Sequence, residues 1–134
     1  MITAVDTNIL IDILEPDPAF GPASKDALKR CLLEGSVVAC EVVWAELAVA
    51  YGHAVERAVE AMDRMGIQYS EMTVEATLEA ARCWYHYLKK GGDRRRIAAD
   101  FLIGGHASKQ ADRLLTRDKG FYRSYFKKLD VGTP

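Results

Sequence analysis

The first ten residues constrain this chain more than any other stretch. Ile2-Thr3-Ala4-Val5 is a short, largely apolar run that stops abruptly at Asp6. Thr7 and Asn8 follow, and a helical pattern then begins with Ile9 and Leu10. Such a run reads as a buried strand that delivers Asp6 to the carboxyl edge of a sheet. In open α/β sheets that edge is where ligands bind.

The rest of the composition sets bounds on this reading. A chain of 134 residues, 49% apolar and 28% charged, has ordinary globular usage and fits one domain over 1–134. No apolar run approaches the roughly 20 residues of a membrane span. The first residues lack the basic-then-apolar order of a leader. A cytoplasmic protein without membrane contact is expected. Cys31, Cys40 and Cys83 have no metal-like spacing and read as reduced, buried thiols. The net charge of −1 hides a split: residues 1–88 hold 6 Lys/Arg against 14 Asp/Glu, and residues 89–134 hold 12 against 5. The basic part suits a polyanionic partner, though solvated helix faces would give the same count.

Local signals place the elements. Residues 1–5 read as a strand and 7–14 as a short helix, which Glu15-Pro16-Asp17-Pro18 breaks. Gly21-Pro22 opens a second helix that Gly35 ends. A second buried strand spans 36–40, followed by helices at 41–50 and about 53–65. Residues 67–72 read as a weaker strand. Thr73 can cap a long helix to about residue 89, Gly91-Gly92 marks a loop, and 97–110 is helical. Strands at 113–116 and 128–131 complete the chain. Strands alternating with helices predict a three-layer α/β/α sandwich with a four- or five-stranded, mainly parallel sheet. Two helices between the second and third strands exclude a simple doubly wound repeat.

Four carboxylates then stand out. Asp6 and Asp118 each lie just past a strand, at the same edge of the sheet. Glu46 sits one turn into the helix after the second strand, near its apolar face. Asp100 lies among Ile97, Phe101, Leu102 and Ile103, where an unpaired acid is costly. Each alone has a plain structural reading as a cap, a surface acid or an ion-pair partner. Together they repel: at about 4 Å and an effective dielectric near 20, each like-charge pair costs on the order of 4 kcal/mol. A divalent cation removes that cost, and hard oxygen ligands favour Mg²⁺ or Mn²⁺. His53, His86 and His106 share no zinc motif. A carboxylate-held metal pair suits phosphodiester hydrolysis without a protein nucleophile. No Gly-x-Ser-x-Gly elbow or P-loop points elsewhere.

Asp6-Thr7-Asn8-Ile9-Leu10, Trp44-Ala45-Glu46-Leu47, Ile97-Ala98-Ala99-Asp100-Phe101-Leu102-Ile103 and the stretch from Leu114 to Tyr122 resemble, in order and spacing, the motifs of PIN-domain ribonucleases. The nearest resemblance is to VapC-type toxins of type II toxin–antitoxin systems. It implies a PIN-like fold and a Mg²⁺- or Mn²⁺-dependent endoribonuclease in which Asp6, Glu46, Asp100 and Asp118 hold the metal. Asp6 and Asp100 would be direct ligands, while Glu46 and Asp118 would act partly through water or on a second ion. Thr7, Asn8 and Thr116 match the family's supporting polar residues. The resemblance also implies an RNA substrate, a cognate antitoxin and a homodimer.

The basic residues gain a role from the same resemblance. Arg94, Arg95, Arg96, Arg117, Lys119 and Arg123 become candidates for binding RNA phosphates. Tyr122 or Phe121 becomes a candidate for base stacking, against a core reading for Phe121. Gly104-Gly105 departs from the family's commoner pattern; it points to close helix packing, close approach of a partner backbone, or a kink. Two other functions compete. One is a PIN-fold RNA-processing nuclease without a toxin role. The other is a Mg²⁺-binding receiver-like module, which would want paired acids at the first strand and a lysine after the last.

Overall fold

A computed structural model of the protein describes residues 1–92 and 98–134. Its centre is a five-stranded, all-parallel sheet in the order β3-β2-β1-β4-β5. The strands are β1 (Ile2–Val5), β2 (Ser36–Ala39), β3 (Ile67–Tyr69), β4 (Arg113–Leu115) and β5 (Asp130–Gly132). Among the described residues, seven α-helices flank it: α1 (Thr7–Leu14), α2 (Gly21–Glu34), α3 (Glu41–Val49), α4 (Arg57–Arg64), α5 (Val74–Lys89), α6 (Ala98–Gln110) and α7 (Lys119–Tyr125). This is the expected three-layer sandwich. Val5, Val37, Ala39 and Leu114 are buried, because helices cover both faces of the sheet.

The order of strands fixes where a site can form. The chain runs outward from β1 to β2 and β3, then returns to place β4 on the other side of β1. The connections from β1 and β4 therefore diverge, leaving a crevice at the carboxyl ends of these two strands. Asp6 and Thr116 are the residues that immediately follow them.

Three elements differ from the sequence reading by more than one residue. The helix expected over about 53–65 is a 3-10 turn at Gly52–Ala54 followed by α4. Gly52 turns the chain at φ 58, and Ala54, Ala58 and Val59 donate to carbonyls three residues back, which keeps the segment tight. β3 ends at Tyr69 rather than reaching Met72, because the Met72 N–H turns to the Glu41 carboxylate at 3.0 Å. The last strand begins at Asp130, since Leu129 is held in a turn on Phe126. Ile97, the expected start of α6, lies outside the described residues. Thr73 caps α5 as expected, accepting from Ala76 N–H at 3.1 Å. The three cysteines are free and buried, and no helix of the described residues is long and apolar enough to cross a membrane.

The paired glycines serve packing. A Cβ on Gly105 would stand 2.5 Å from the Ala76 carbonyl oxygen and 2.8 Å from Ala80 Cβ, and one on Gly104 would enter the Phe126 ring. The small size of Gly105 lets α6 lie directly on the α5 backbone, and that of Gly104 makes room for Phe126, which outweighs their poor helix propensity. The neighbour at Gly105 is backbone and cannot swing away. Gly105→Ala is therefore expected to destabilise the protein by about 1–3 kcal/mol, measured by chemical denaturation; an unchanged or raised midpoint would contradict this packing.

Candidate active site

The register of β1 on β4 builds the site. Val5 pairs with Leu115, and the Asp6 N–H donates to the Leu115 carbonyl at 2.9 Å. Asp6 and Thr116 thus emerge side by side. The Thr116 hydroxyl, fully buried, donates to Asp6 Oδ2 at 2.7 Å. The same oxygen receives Asn8 Nδ2 at 3.3 Å, and Asp6 Oδ1 accepts the Thr7 N–H at 2.8 Å. Asp6 is therefore both the N-cap of α1 and a side chain of the crevice, so the two sequence readings describe one geometry. The Thr116 hydroxyl in turn accepts the Asp118 N–H at 3.0 Å, which ties Asp118 to Asp6.

Glu46 joins from the other flank. It is half-buried on α3, and the Thr7 hydroxyl donates to its Oε1 at 2.6 Å. Asp100 sits half-buried in the first turn of α6 and interacts electrostatically with Asp6. Asp118 holds the N-cap position of α7, yet its side chain does not cap the helix. Its place in the crevice is therefore not explained by helix capping.

Tyr122 was not anticipated in this role. Its side chain is fully buried, so it does not offer a ring to a base, in contrast to the stacking expectation. Its hydroxyl sits against Asp6 but has no well-formed hydrogen bond. Burial, then the charges of Asp6 and Asp100, push the phenol far up, so it stays a neutral O–H donor facing the acids. Phe121 is core, as expected, packed on Phe101 with ring centroids 5.2 Å apart.

Burial raises the Asp6 carboxyl to about 6, despite the opposing hydrogen bonds from Thr116 and Thr7 N–H. The nearby Asp100 charge raises it further. A buried acid beside other acids is poised for a cation. Among the described residues, no three donors enclose an ion as the side chains stand. The donor chemistry nevertheless fits a hard divalent ion: the side chains that meet here offer carboxylate and hydroxyl oxygens. His106 is engaged elsewhere, with Nε2 at 2.9 Å from Ser70 Oγ.

The basic candidates fare unevenly. Arg94, Arg95 and Arg96 lie outside the described residues. Lys119 is exposed at the start of α7, and Arg123 reaches the Val131 carbonyl at 3.3 Å. Arg117 is committed internally. It grips Asp12 through Nε at 2.7 Å and Nη2 at 3.1 Å, and its guanidinium lies 4.1 Å over the Phe20 ring. Asp12, buried and also bound by Ser24 Oγ at 2.8 Å, was missed in the sequence. Its signal was an acid between Ile11 and Ile13 in an otherwise apolar helix. The pair pins the Thr116–Asp118 loop to α1 and so helps position the acids.

The raised Asp6 value has a definite sign. The folded chain holds this proton more tightly than the unfolded chain. The Asp6 contribution therefore falls as pH rises from about 3.8 to about 6, and on the order of 3 kcal/mol is missing above that window. Asp6→Asn removes this dependence. Denaturation in a chelator should show the variant gaining on the parent between about pH 4 and 6, with the gap constant above. A gap independent of pH, or a large loss in the variant at neutral pH, would return Asp6 to a purely structural role.

Comparison with known proteins agrees with the architecture. No curated relative matches the chain in sequence. Among solved structures, VapBC2 from Rickettsia felis, in a complex with a DNA fragment of the promoter, matches at 20% identity and a TM-score of 0.77, covering 99% of this chain and 98% of that one. FitAcB from Neisseria gonorrhoeae matches at 21% and 0.71, covering 98% and 96%. A toxin–antitoxin complex from Klebsiella pneumoniae matches at 20% and 0.71, covering 98% and 97%. At these identities the likeness is one of fold. The PIN domain family model matches residues 3–127, nearly the whole length, and its coverage includes all four acids and Thr116. The chain belongs to the PIN domain family.

Proposed function

We propose that this chain is a Mg²⁺- or Mn²⁺-dependent endoribonuclease and the toxin of a toxin–antitoxin pair. The carrying observation is the buried Asp6 carboxylate, oriented by Thr116 and Asn8 and set beside Asp100, Asp118 and Glu46 at the crevice between β1 and β4. The toxin assignment draws support from the solved neighbours, which include a toxin–antitoxin complex, and from the family motifs in the sequence.

In this reading Asp6 and Asp100 would hold the metal directly, and Glu46 and Asp118 would act partly through water or on a second ion. When bound, the ions lower the pKa of an attacking water and neutralise charge on the leaving oxygen. The chain's own residues supply orientation. Thr116 and Thr7 N–H fix both oxygens of Asp6, and Thr7 fixes one oxygen of Glu46. Tyr122 adds a neutral donor on the floor of the crevice. The acids also exclude a phosphate strand until a cation is present, because their charges otherwise repel it. A homodimer, with an antitoxin covering the crevice, completes the proposal.

Cleavage of a fluorescent single-stranded RNA tests the chemistry. Asp6→Asn and Asp100→Asn are expected to cut at least about 100-fold more slowly, and a chelator should stop the parent protein. Thr116→Val should lose about 10–100-fold through misorientation of Asp6. If both Asn variants cut as fast as the parent, the assignment of the acids is wrong. Induced expression tests the biological role: growth arrest that Asp6→Asn relieves fits a toxin, whereas harmless expression of a cutting enzyme would sink that part.

A further inference from the structure

The acids of the crevice repel an RNA backbone, so a chain that cuts RNA needs cations elsewhere to hold the strand. Arg117 is taken up by Asp12 and does not provide them. A separate cavity of about 530 Å³ lies between α5, α6 and the end of α7. Its walls carry Arg82, His86, Lys90, Lys109, Lys127 and Lys128. Among the described residues lining it, Glu79 is the only acid, and Lys109 and Arg82 already offset it at 3.5 Å and 3.7 Å. Lys90, Lys127 and Lys128 are exposed and remain as excess positive charge. Four of the cavity's lysines belong to the basic part of the sequence that begins at residue 89.

The cavity is distinct from the crevice yet coupled to it by two helices. α7 leaves Asp118 at its start and brings Tyr125 and Phe126 to the cavity wall at its end. On α6, Ser108 lies eight residues beyond Asp100, about 12 Å at 1.5 Å per residue. A few nucleotides of extended strand bridge that distance. Tyr125 is half-exposed on the wall and puts an aromatic side chain within reach of a base, which suits a nucleic acid better than an acidic peptide.

We propose that this cavity is a second phosphate-binding site, which holds the backbone of the RNA strand whose scissile bond lies at the acids. It rests on the nuclease reading for its ligand, but not for its own test. The probe is a short, labelled single-stranded RNA, bound in a chelator so that no cleavage occurs. The full chain is compared with the triple variant Lys90→Gln, Lys127→Gln, Lys128→Gln, whose changes are all at exposed positions.

The triple variant should bind the RNA at least tenfold more weakly at low salt. Its log-affinity slope against log salt should fall by about 2, as expected for three lost single-strand phosphate contacts. With metal restored, it should show a raised KM on long RNA and an unchanged kcat. Equal affinity and equal salt slope in the two proteins would overturn the proposal. If the parent binds as described and cuts no RNA, the nuclease reading fails while the cavity stands. If the parent cuts and the triple variant binds equally well, the cavity alone fails.

Discussion

The hydrogen bond from the Thr116 hydroxyl to Asp6 Oδ2, 2.7 Å long and fully buried, is the interaction on which the remainder of the site depends. It joins the ends of β1 and β4, two strands more than a hundred residues apart in sequence. One hydroxyl orients Asp6 by donating, and positions the loop to Asp118 by accepting its N–H. Thr7 extends the same pattern to Glu46. A small set of short polar side chains thereby holds acids from α1, α3 and α7 in fixed relation. Such supporting contacts carry much of the precision of a metal site.

This arrangement works against the stability of the fold. Burial raises the Asp6 carboxyl to about 6 while Asp100 stands nearby, so the charged form is held at a cost. The rest of the chain offsets it. β1 is covered on both faces, α6 packs on the α5 backbone through Gly105 and on Phe126 through Gly104, and Arg117 with Asp12 fixes the loop over α1. A binding site that is strained without its ligand and supported by well-packed elements is a common compromise between function and stability.

Much of this was readable in the sequence because local chemistry and tertiary structure agree there. An apolar run ending in Asp6-Thr7-Asn8 specifies a buried strand, a cap and a helix start at once, and all three occur. The sandwich followed from alternation, and the fifth strand resolved a count left open between four and five. The glycine pair left close packing and a kink open, and the contacts of Gly104 with Phe126 and of Gly105 with α5 decide for packing. What sequence could not give were contacts between distant segments. Arg117 looked like a phosphate ligand because its partner Asp12 lies 105 positions away. Tyr122 looked available for stacking because the polar crevice that buries its hydroxyl is assembled from several elements. The third-strand boundary moved because the Glu41 side chain captured the Met72 N–H, a competition that strand propensity does not register.

The central claim is that Asp6, Glu46, Asp100 and Asp118 form one cation site organised through Thr116 and Thr7. Titration of the isotope-labelled protein with substoichiometric Mn²⁺ reads this directly, since paramagnetic broadening marks the residues nearest the ion. The amide signals of Thr7, Asn8, Glu46, Asp100, Thr116 and Asp118 are expected to broaden together and first, and added Mg²⁺ to restore them. Broadening that begins elsewhere, or that reaches only one of the four acids, would contradict that claim.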